Sequence, residues 1–324
     1  MGDIVGAIDW GYSYTKQIGN GDRRIFPSVV GNGYDKSFSL GGKTQIEELE
    51  IKTDKHYFIG DNAKRNSKLF YNGVQQNRFS DESFKALMST SLGLMCPMND
   101  KLKLVTGLPP KFYSSNKKEL KETLLGEHRF ELNGIERVVV IDKVQVLPQL
   151  VGTAIDLMYD KFGQVNRSGL GDKTFGIIDP GFGTTDYAII SKGEYRDDLK
   201  DSTRYNINEL YRIIGSEIFK QHGVEVNPMM IEEIVNTGVL EINGMMVEVT
   251  RILEQSKDTI AMAIANHADS IWLQKWNIHK IFLTGGGGEM LEPYIRKYIN
   301  VEKVDDAQWS NVRGYHKKAI RAWM

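Results

Sequence analysis

Two aspartates in matching settings carry the chemistry this sequence could perform. Phe175-Gly176-Ile177-Ile178 brings an apolar run into Asp179, and Pro180-Gly181-Phe182-Gly183-Thr184-Thr185-Asp186 follows. Near the N-terminus, Ile4-Val5-Gly6-Ala7-Ile8 runs into Asp9-Trp10-Gly11-Tyr12-Ser13-Tyr14-Thr15-Lys16, again strand, carboxylate, glycine turn, hydroxyls and outgoing strand. Glycine reaches positive φ and leaves no Cβ in a ligand's way, so such a turn can aim several N–H groups at phosphate oxygens. One strand ending in Asp-x-Gly is usually an ordinary turn. Two copies 170 positions apart, with a third glycine run at Gly285-Gly286-Gly287-Gly288 after the strand-like Lys280-Ile281-Phe282-Leu283-Thr284, point instead to two similar halves and a polyphosphate.

In order and spacing this set resembles the actin and sugar-kinase superfamily, and within it the bacterial and archaeal plasmid-segregation actins of the ParM/StbA type. In that resemblance, residues 4–16 are the first phosphate loop, Val146-Leu147-Pro148-Gln149 the first connecting segment and residues 175–186 the second phosphate loop. Residues 281–289 are the adenosine loop, and Asn311-Val312-Arg313-Gly314-Tyr315-His316-Lys317-Lys318-Ala319 the closing segment. The implied fold is α/β: the duplicated, ribonuclease H-like ATPase fold of actin, with two domains flanking a nucleotide cleft. Residues 1–148 would form the first domain, 149–307 the second, and a helix over 308–324 would return to the first.

The resemblance also implies a site for ATP, with GTP as the alternative, and Mg²⁺. Main-chain N–H groups of Gly11, Tyr12 and Ser13, and of Gly181, Phe182, Gly183 and Thr184, would cradle the β- and γ-phosphates. Where actin has Asp-x-Gly-Ser, this chain inserts Tyr12, so either Ser13 or Thr15 is the hydroxyl that meets the γ-phosphate. Lys16 would extend a charge toward the phosphates. Asp9 and Asp179 would face one another and hold a hydrated magnesium, an ion that keeps several of its waters. Gln149 stands where the family carries a Gln or Glu that orients the attacking water; an amide is no strong base, so slow hydrolysis is expected, with Gln149 and Asp179 as the catalytic residues. Gly285, Gly286 and Gly287 would let the backbone approach the ribose and α-phosphate, Glu289 would wall the base, and Glu217 and Lys220 are the ribose-side candidates.

The elements that must position these residues follow from pattern. Asn20-Gly21, Asn133-Gly134 and Asn243-Gly244, each flanked by strand-like residues, predict hairpins. Apolar residues at helical spacing predict helices from Asp81, over 116–125, from Leu150, over 207–223 and over 250–276. A helix over 290–299 would hold Pro293 in its first turns, where proline is tolerated. Residues from Pro27 through Gly42 read as an irregular surface segment, and Cys96 as a small core residue at a helix end before Pro97.

Composition narrows the class. A chain of 324 residues is comfortable for two cores. The formal charge of −1 offers no field for direct nucleic-acid or anionic-membrane binding. One cysteine makes no internal disulfide, no signal-like segment opens the chain, and no apolar run approaches bilayer length, so a cytoplasmic protein is expected. No appended peptide-binding domain suggests a chaperone, and no membrane-seeking terminus suggests a MreB-type shape protein. The expected function is a slow ATPase that assembles with itself into filaments and moves plasmid DNA through a ParR-like DNA-binding adaptor. A small-molecule kinase of the same fold is the alternative, and Gln149 in place of a carboxylate base argues against it.

Overall fold

Strand burial sets the layers. Strand β1 (Asp3–Trp10) is buried on both faces after its first residues, as a central strand should be, whereas β2 (Tyr14–Gly19) alternates half-buried and buried, as in a hairpin with one wet face. The computed structural model describes residues 3–34, 48–67, 70–72, 79, 81–98, 100–165, 169–273 and 277–324. The segment 35–47, including half of the stretch expected to be irregular, lies outside them, as does Trp276; in the described half, Val29–Asn32 form a strand rather than an irregular segment. By contacts the chain divides into two units, residues 1–168 with 311–324, and 169–310.

In the first unit, β3 (Asp22–Pro27), β4 (Val29–Asn32), β5 (Leu49–Lys52), β6 (His56–Ile59), α1 (Asp61–Asn66) and β7 (Phe70–Asn72) follow β2. Then come α2 (Glu82–Met95), β8 (Lys101–Leu108), α3 (Pro110–Leu124), β9 (Gly126–Leu132), β10 (Ile135–Pro148) and α4 (Val151–Met158). The ten strands lie in the order β3-β2-β1-β8-β10-β9-β5-β6-β4-β7, with β1, β8 and β10 parallel. Asp81 caps α2, its carboxylate accepting from Ser83 N–H at 3.2 Å. Cys96 closes that helix fully buried, and burial pushes its thiol up to about 12. Helix α3 begins at Pro110, earlier than the apolar spacing indicates, because a proline's missing N–H costs nothing at the first helical position.

The second unit contains β11 (Thr174–Pro180), β12 (Thr185–Ser191), β13 (Glu194–Tyr195), β14 (Asp201–Thr203), α5 (Ile207–His222) and α6 (Pro228–Thr237). These are followed by β15 (Val239–Ile242), β16 (Met245–Glu248), α7 (Thr250–Ala268), β17 (Lys280–Leu283), α8 (Gly285–Ile295) and β18 (Glu302–Lys303); the last element of the chain is α9 (Ser310–Trp323). Its main sheet runs β13-β12-β11-β17-β18 with β11, β17 and β18 parallel. This repeats the order β3-β2-β1-β8-β10 of the first unit, so the duplication seen in two short motifs extends through five strands. The contact boundary falls at 168/169, which leaves α4 with the first unit.

One expectation about the glycine run is corrected. Gly285 to Gly288 form the first turn of α8 rather than a loop before a helix at 290, so Pro293 sits near the end of that helix. Four glycines make a poor helix in isolation; here tertiary packing overrides propensity. A Cβ on Gly287 would strike the carbonyl oxygen of Pro180, so the helix start packs too closely on the end of β11 for any side chain.

Helix α9, from Asn311 onward, packs on α4 within the first unit. Asn311 Oδ1 accepts from Thr153 N–H at 3.2 Å and its hydroxyl at 2.9 Å, and buried Asp156 is held by Arg313 Nη2 at 2.6 Å and Lys317 Nζ at 2.7 Å. Between these contacts a Cβ on Gly314 would overlap the Gly152 carbonyl, while the fully buried Tyr315 ring packs over Gly107 and Gly152. Arg-Gly-aromatic is thus a helix-packing device: an ion pair, a backbone-to-backbone approach and an aromatic plug. Gly314→Ala should lower the unfolding free energy of the chain by about 2 kcal/mol or more through overpacking, read by urea denaturation.

Candidate functional site

Both loops are built the same way. Asp9 ends the apolar run of β1 and stands opposite Lys16 in the antiparallel β1–β2 ladder; Asp179 and Asp186 occupy the corresponding places in β11–β12. Gly11 N–H bonds the Asp9 carbonyl at 3.0 Å, and Gly181 N–H bonds that of Asp179 at 2.9 Å. A Cβ on Gly11 would lie 2.7 Å from the Tyr14 carbonyl oxygen, and one on Gly181 2.8 Å from that of Thr184. Glycine is required at both by the same close approach.

The carbonyls of each loop are tied into the protein. In loop 1, Ser28 N–H donates to Ser13 O at 2.8 Å and its hydroxyl to Gly11 O at 2.8 Å. In loop 2, Ile207 N–H bonds Gly181 O at 3.1 Å, Asn208 N–H bonds Phe182 O at 3.2 Å, and the Asn206 amide bonds Gly183 O at 2.6 Å. With these carbonyls engaged, the N–H groups of each turn are the side suited to an anion. Asn206 also caps α5, accepting from Glu209 N–H at 2.9 Å. The signature Asn206-Ile207-Asn208-Glu209 is a helix-start pattern legible in sequence that links loop 2 to α5.

Three of the expected residues of the first unit converge. Asp9, 4 % exposed, accepts from Gln149 Nε2 at 3.2 Å and pairs with Lys16 Nζ at 3.5 Å. Gln149 is placed by the parallel β8–β10 pair, since its own N–H bonds Leu108 O at 2.7 Å before α4 begins. Of the two hydroxyls left open by sequence, Thr15 is fully buried and bonded to Ser28 Oγ at 2.9 Å, so it supports the loop from beneath; Ser13 is the half-exposed one. Tyr12 is 39 % exposed, whereas its counterpart Phe182 packs edge-on against Tyr211, ring centroids 5.7 Å apart.

In the second unit, a Cβ on Gly285 would strike the Asp179 carboxylate, and Gly286 is exposed beside Gln308. Glu289 is exposed on the next turn. Glu217 and Lys220 pair with each other at 2.6 Å, roughly 15 Å along α5 from its loop-bound start. Among the described residues, no group of three His, Cys, Asp or Glu side chains comes together to hold a metal by itself.

Asp186, which closed the motif without an assigned role, proves to be a strongly perturbed carboxyl. It is 5 % exposed, and burial pushes it up to about 7; Asp179 and Asp201 push the same way, while hydrogen bonds from the Ser202 and Thr184 hydroxyls hold it back. Its counterpart Lys16 neutralises a carboxylate, whereas Asp186 faces one.

The comparisons with known proteins agree with this architecture. A model described as the N-terminal domain of actin-like proteins matches residues 7–152, and one for the C-terminal part of the archaeal actin homologue MreB-like proteins matches residues 177–297. The chain belongs to the actin-like proteins. Among solved structures it is similar to the ParM of a 15-stranded filament from Clostridium botulinum, at 22% identity and TM-score 0.82 over 99% of this chain and 100% of that one. An archaeal actin homologue in complex with ADP matches at 20% identity and TM-score 0.80 over 98% and 99% of the two chains, and Bacillus thuringiensis ParM with AMPPNP at 16% and 0.73 over 100% of both. At these identities the likeness is one of fold. The search of curated proteins returned no match. No described helix is long and apolar enough to cross a membrane.

The raised pKa of Asp186 makes stability fall with pH. The folded state keeps its proton above the ordinary carboxylate range and the unfolded state does not, so this stabilisation is complete below about 4 and is lost as pH rises to about 7. In nucleotide-free, metal-free buffer, Asp186→Asn should flatten the pH dependence of thermal unfolding between those limits. An unchanged slope would show that Asp186 ionises normally.

Proposed function

We propose that this actin-like protein binds ATP and Mg²⁺ through its two Asp-x-Gly loops, hydrolyses the nucleotide slowly, polymerises in the ATP-bound form and moves plasmid DNA through a ParR-like adaptor. The observation that carries the reading is the joining of Gln149 and Lys16 on Asp9, beside a loop whose Gly11 and Ser13 carbonyls are bonded to Ser28. Gln149 spends its amide N–H on Asp9, which leaves the amide oxygen to accept from a water and orient it. Lys16 brings a cation to the loop edge, and Ser13 is the hydroxyl placed to reach a terminal phosphate.

The donor set suits magnesium polyphosphate. Asp179 and Asp186 stand in register on neighbouring strands, and two carboxyls so placed call for a proton or a cation between them and solvent. Asp179, with Asp9, would hold the ion through water, and the ion would supply neutralisation of charge on the phosphate oxygens. Gly286, on the exposed side of the α8 start, and Glu289 would lie along the nucleoside, with Glu217 and Lys220 toward the ribose. ADP and AMPPNP bound to solved proteins of the same fold support the nucleotide part of the reading, and the Clostridium botulinum filament supports the self-assembly part.

Asp179→Ala should abolish magnesium-dependent nucleotide binding or turnover. Gln149→Ala should slow phosphate release by about 10² through lost water positioning while nucleotide affinity stays within about twofold. Both are measured with a labelled nucleotide and a phosphate assay; wild-type turnover in both variants would remove the site assignment. Mixing the wild-type chain with ATP and magnesium should give sedimentable polymer that disassembles as phosphate appears. Transfer of phosphate to a small-molecule acceptor, without polymer, would identify a kinase instead.

A further inference from the structure

The segment following α5 has an unusual surface. From Gln221 to Thr250 the chain carries five glutamates, Glu225, Glu232, Glu233, Glu241 and Glu248, and neither lysine nor arginine. It folds as α6 packed on the two-stranded β15–β16 ribbon. Met229 and Met230 at the start of α6 are 44% and 37% exposed, and Met245 and Met246 at the ribbon tip are 66% and 74% exposed. Consecutive strand residues point to opposite faces, so both sides of the tip are apolar and uncovered. Methionine is adaptable and favoured on binding surfaces, and large exposed apolar groups in one element mark an interaction site.

The first unit offers the complement. After α4, Tyr159 bridges to Val165 and closes a tight loop in which the Asp160 carboxylate accepts from Phe162 N–H and Gln164 N–H, both at 2.9 Å. Gly163 seats this loop on α9, against Lys317 O and Arg321. The result is a fixed knob with Phe162 65% and Val165 69% exposed, flanked by Lys161, whose ammonium lies 5.1 Å from the Phe162 ring, and by Arg321, which stacks on Tyr159. One surface is soft, apolar and acidic; the other is rigid, apolar and basic.

We propose that the Met245–Met246 ribbon of one copy docks on the Phe162 knob of the next copy. The charges match, and the two patches differ, so the contact is head-to-tail and leaves an unused knob on one copy and an unused ribbon on the other, the condition for an open polymer. This deepens the filament reading and rests on it. Because opposite charges ring the contact, added salt should weaken assembly, an effect of screening.

The test uses two double variants of the full chain, Met245→Lys with Met246→Lys, and Phe162→Glu with Val165→Glu, with sedimentation in ATP and magnesium. None of these residues belongs to the nucleotide site, so ATP affinity should match wild type and certify folding. Each variant alone should raise the critical concentration at least tenfold. Mixed at equal concentration, they share one intact ribbon and one intact knob, and should form a dimer seen by sedimentation velocity where each alone stays monomeric. If wild type assembles and either variant assembles as well as it, or the mixture stays monomeric, the docking is wrong while the filament reading stands. If wild type itself fails to assemble while binding ATP, both are wrong.

Discussion

The molecule turns on one contact made twice: the glycine two residues after each aspartate, folded back so that its N–H meets the aspartate carbonyl and its α-carbon faces the carbonyl three residues on. No Cβ fits there. The turn fixes the register of the outgoing strand, and that register decides what stands opposite the carboxylate, Lys16 in one copy and Asp186 in the other. Both the direction of the N–H groups and the charge of the strand partner therefore follow from a steric limit at Gly11 and Gly181.

The copies diverge where charge and support are concerned. Loop 1 is tied down by one residue, Ser28, through its N–H and its hydroxyl, and its aspartate is neutralised from within by Lys16 and bonded by Gln149. Loop 2 is tied down by the first turn of a long helix, and its aspartate faces a buried carboxyl that keeps its proton to about pH 7. The strand partner is a cation in the first loop and a second carboxyl in the other. A duplicated fold thus yields two loops of the same shape whose aspartates face strand partners of opposite charge type.

Much of the fold was legible because it rests on local pattern: Asn20-Gly21, Asn133-Gly134 and Asn243-Gly244 all adopt positive φ in hairpin turns, and Asp81 caps α2 as its type suggests. The convergence of Gln149 on Asp9 across 140 positions was legible only through resemblance, since nothing local to Pro148-Gln149 announces it. What sequence misread was the Gly285 run, because propensity says loop while packing against Pro180 enforces helix. What it missed was Asp186 and the Asp156–Arg313–Lys317 cluster: a carboxylate's burial and its partners are set by strand register and helix packing, which residue types alone do not encode.

The same glycines that invite a ligand also hold the second unit together, and this joins the site to the surface. Gly285 and Gly287 press α8 onto Asp179 and Pro180, while Gly181, Phe182 and Gly183 accept bonds from the start of α5. Along α5, Gly215 lets Ile231 of α6 and Val226 approach, and α6 carries the β15–β16 ribbon through its left-handed cap at Gly238. The links are hydrogen bonds to loop carbonyls, from two backbone N–H groups and the Asn206 amide, and close packing at glycines. A shift of loop 2 by a fraction of an ångström cannot be taken up at the loop without breaking the α5 cap, so it is passed to the helix start. The turn at Gly181 is thus joined through α8, α5 and α6 to the acidic, methionine-bearing ribbon, and what joins them is a stack of elements packed at glycines.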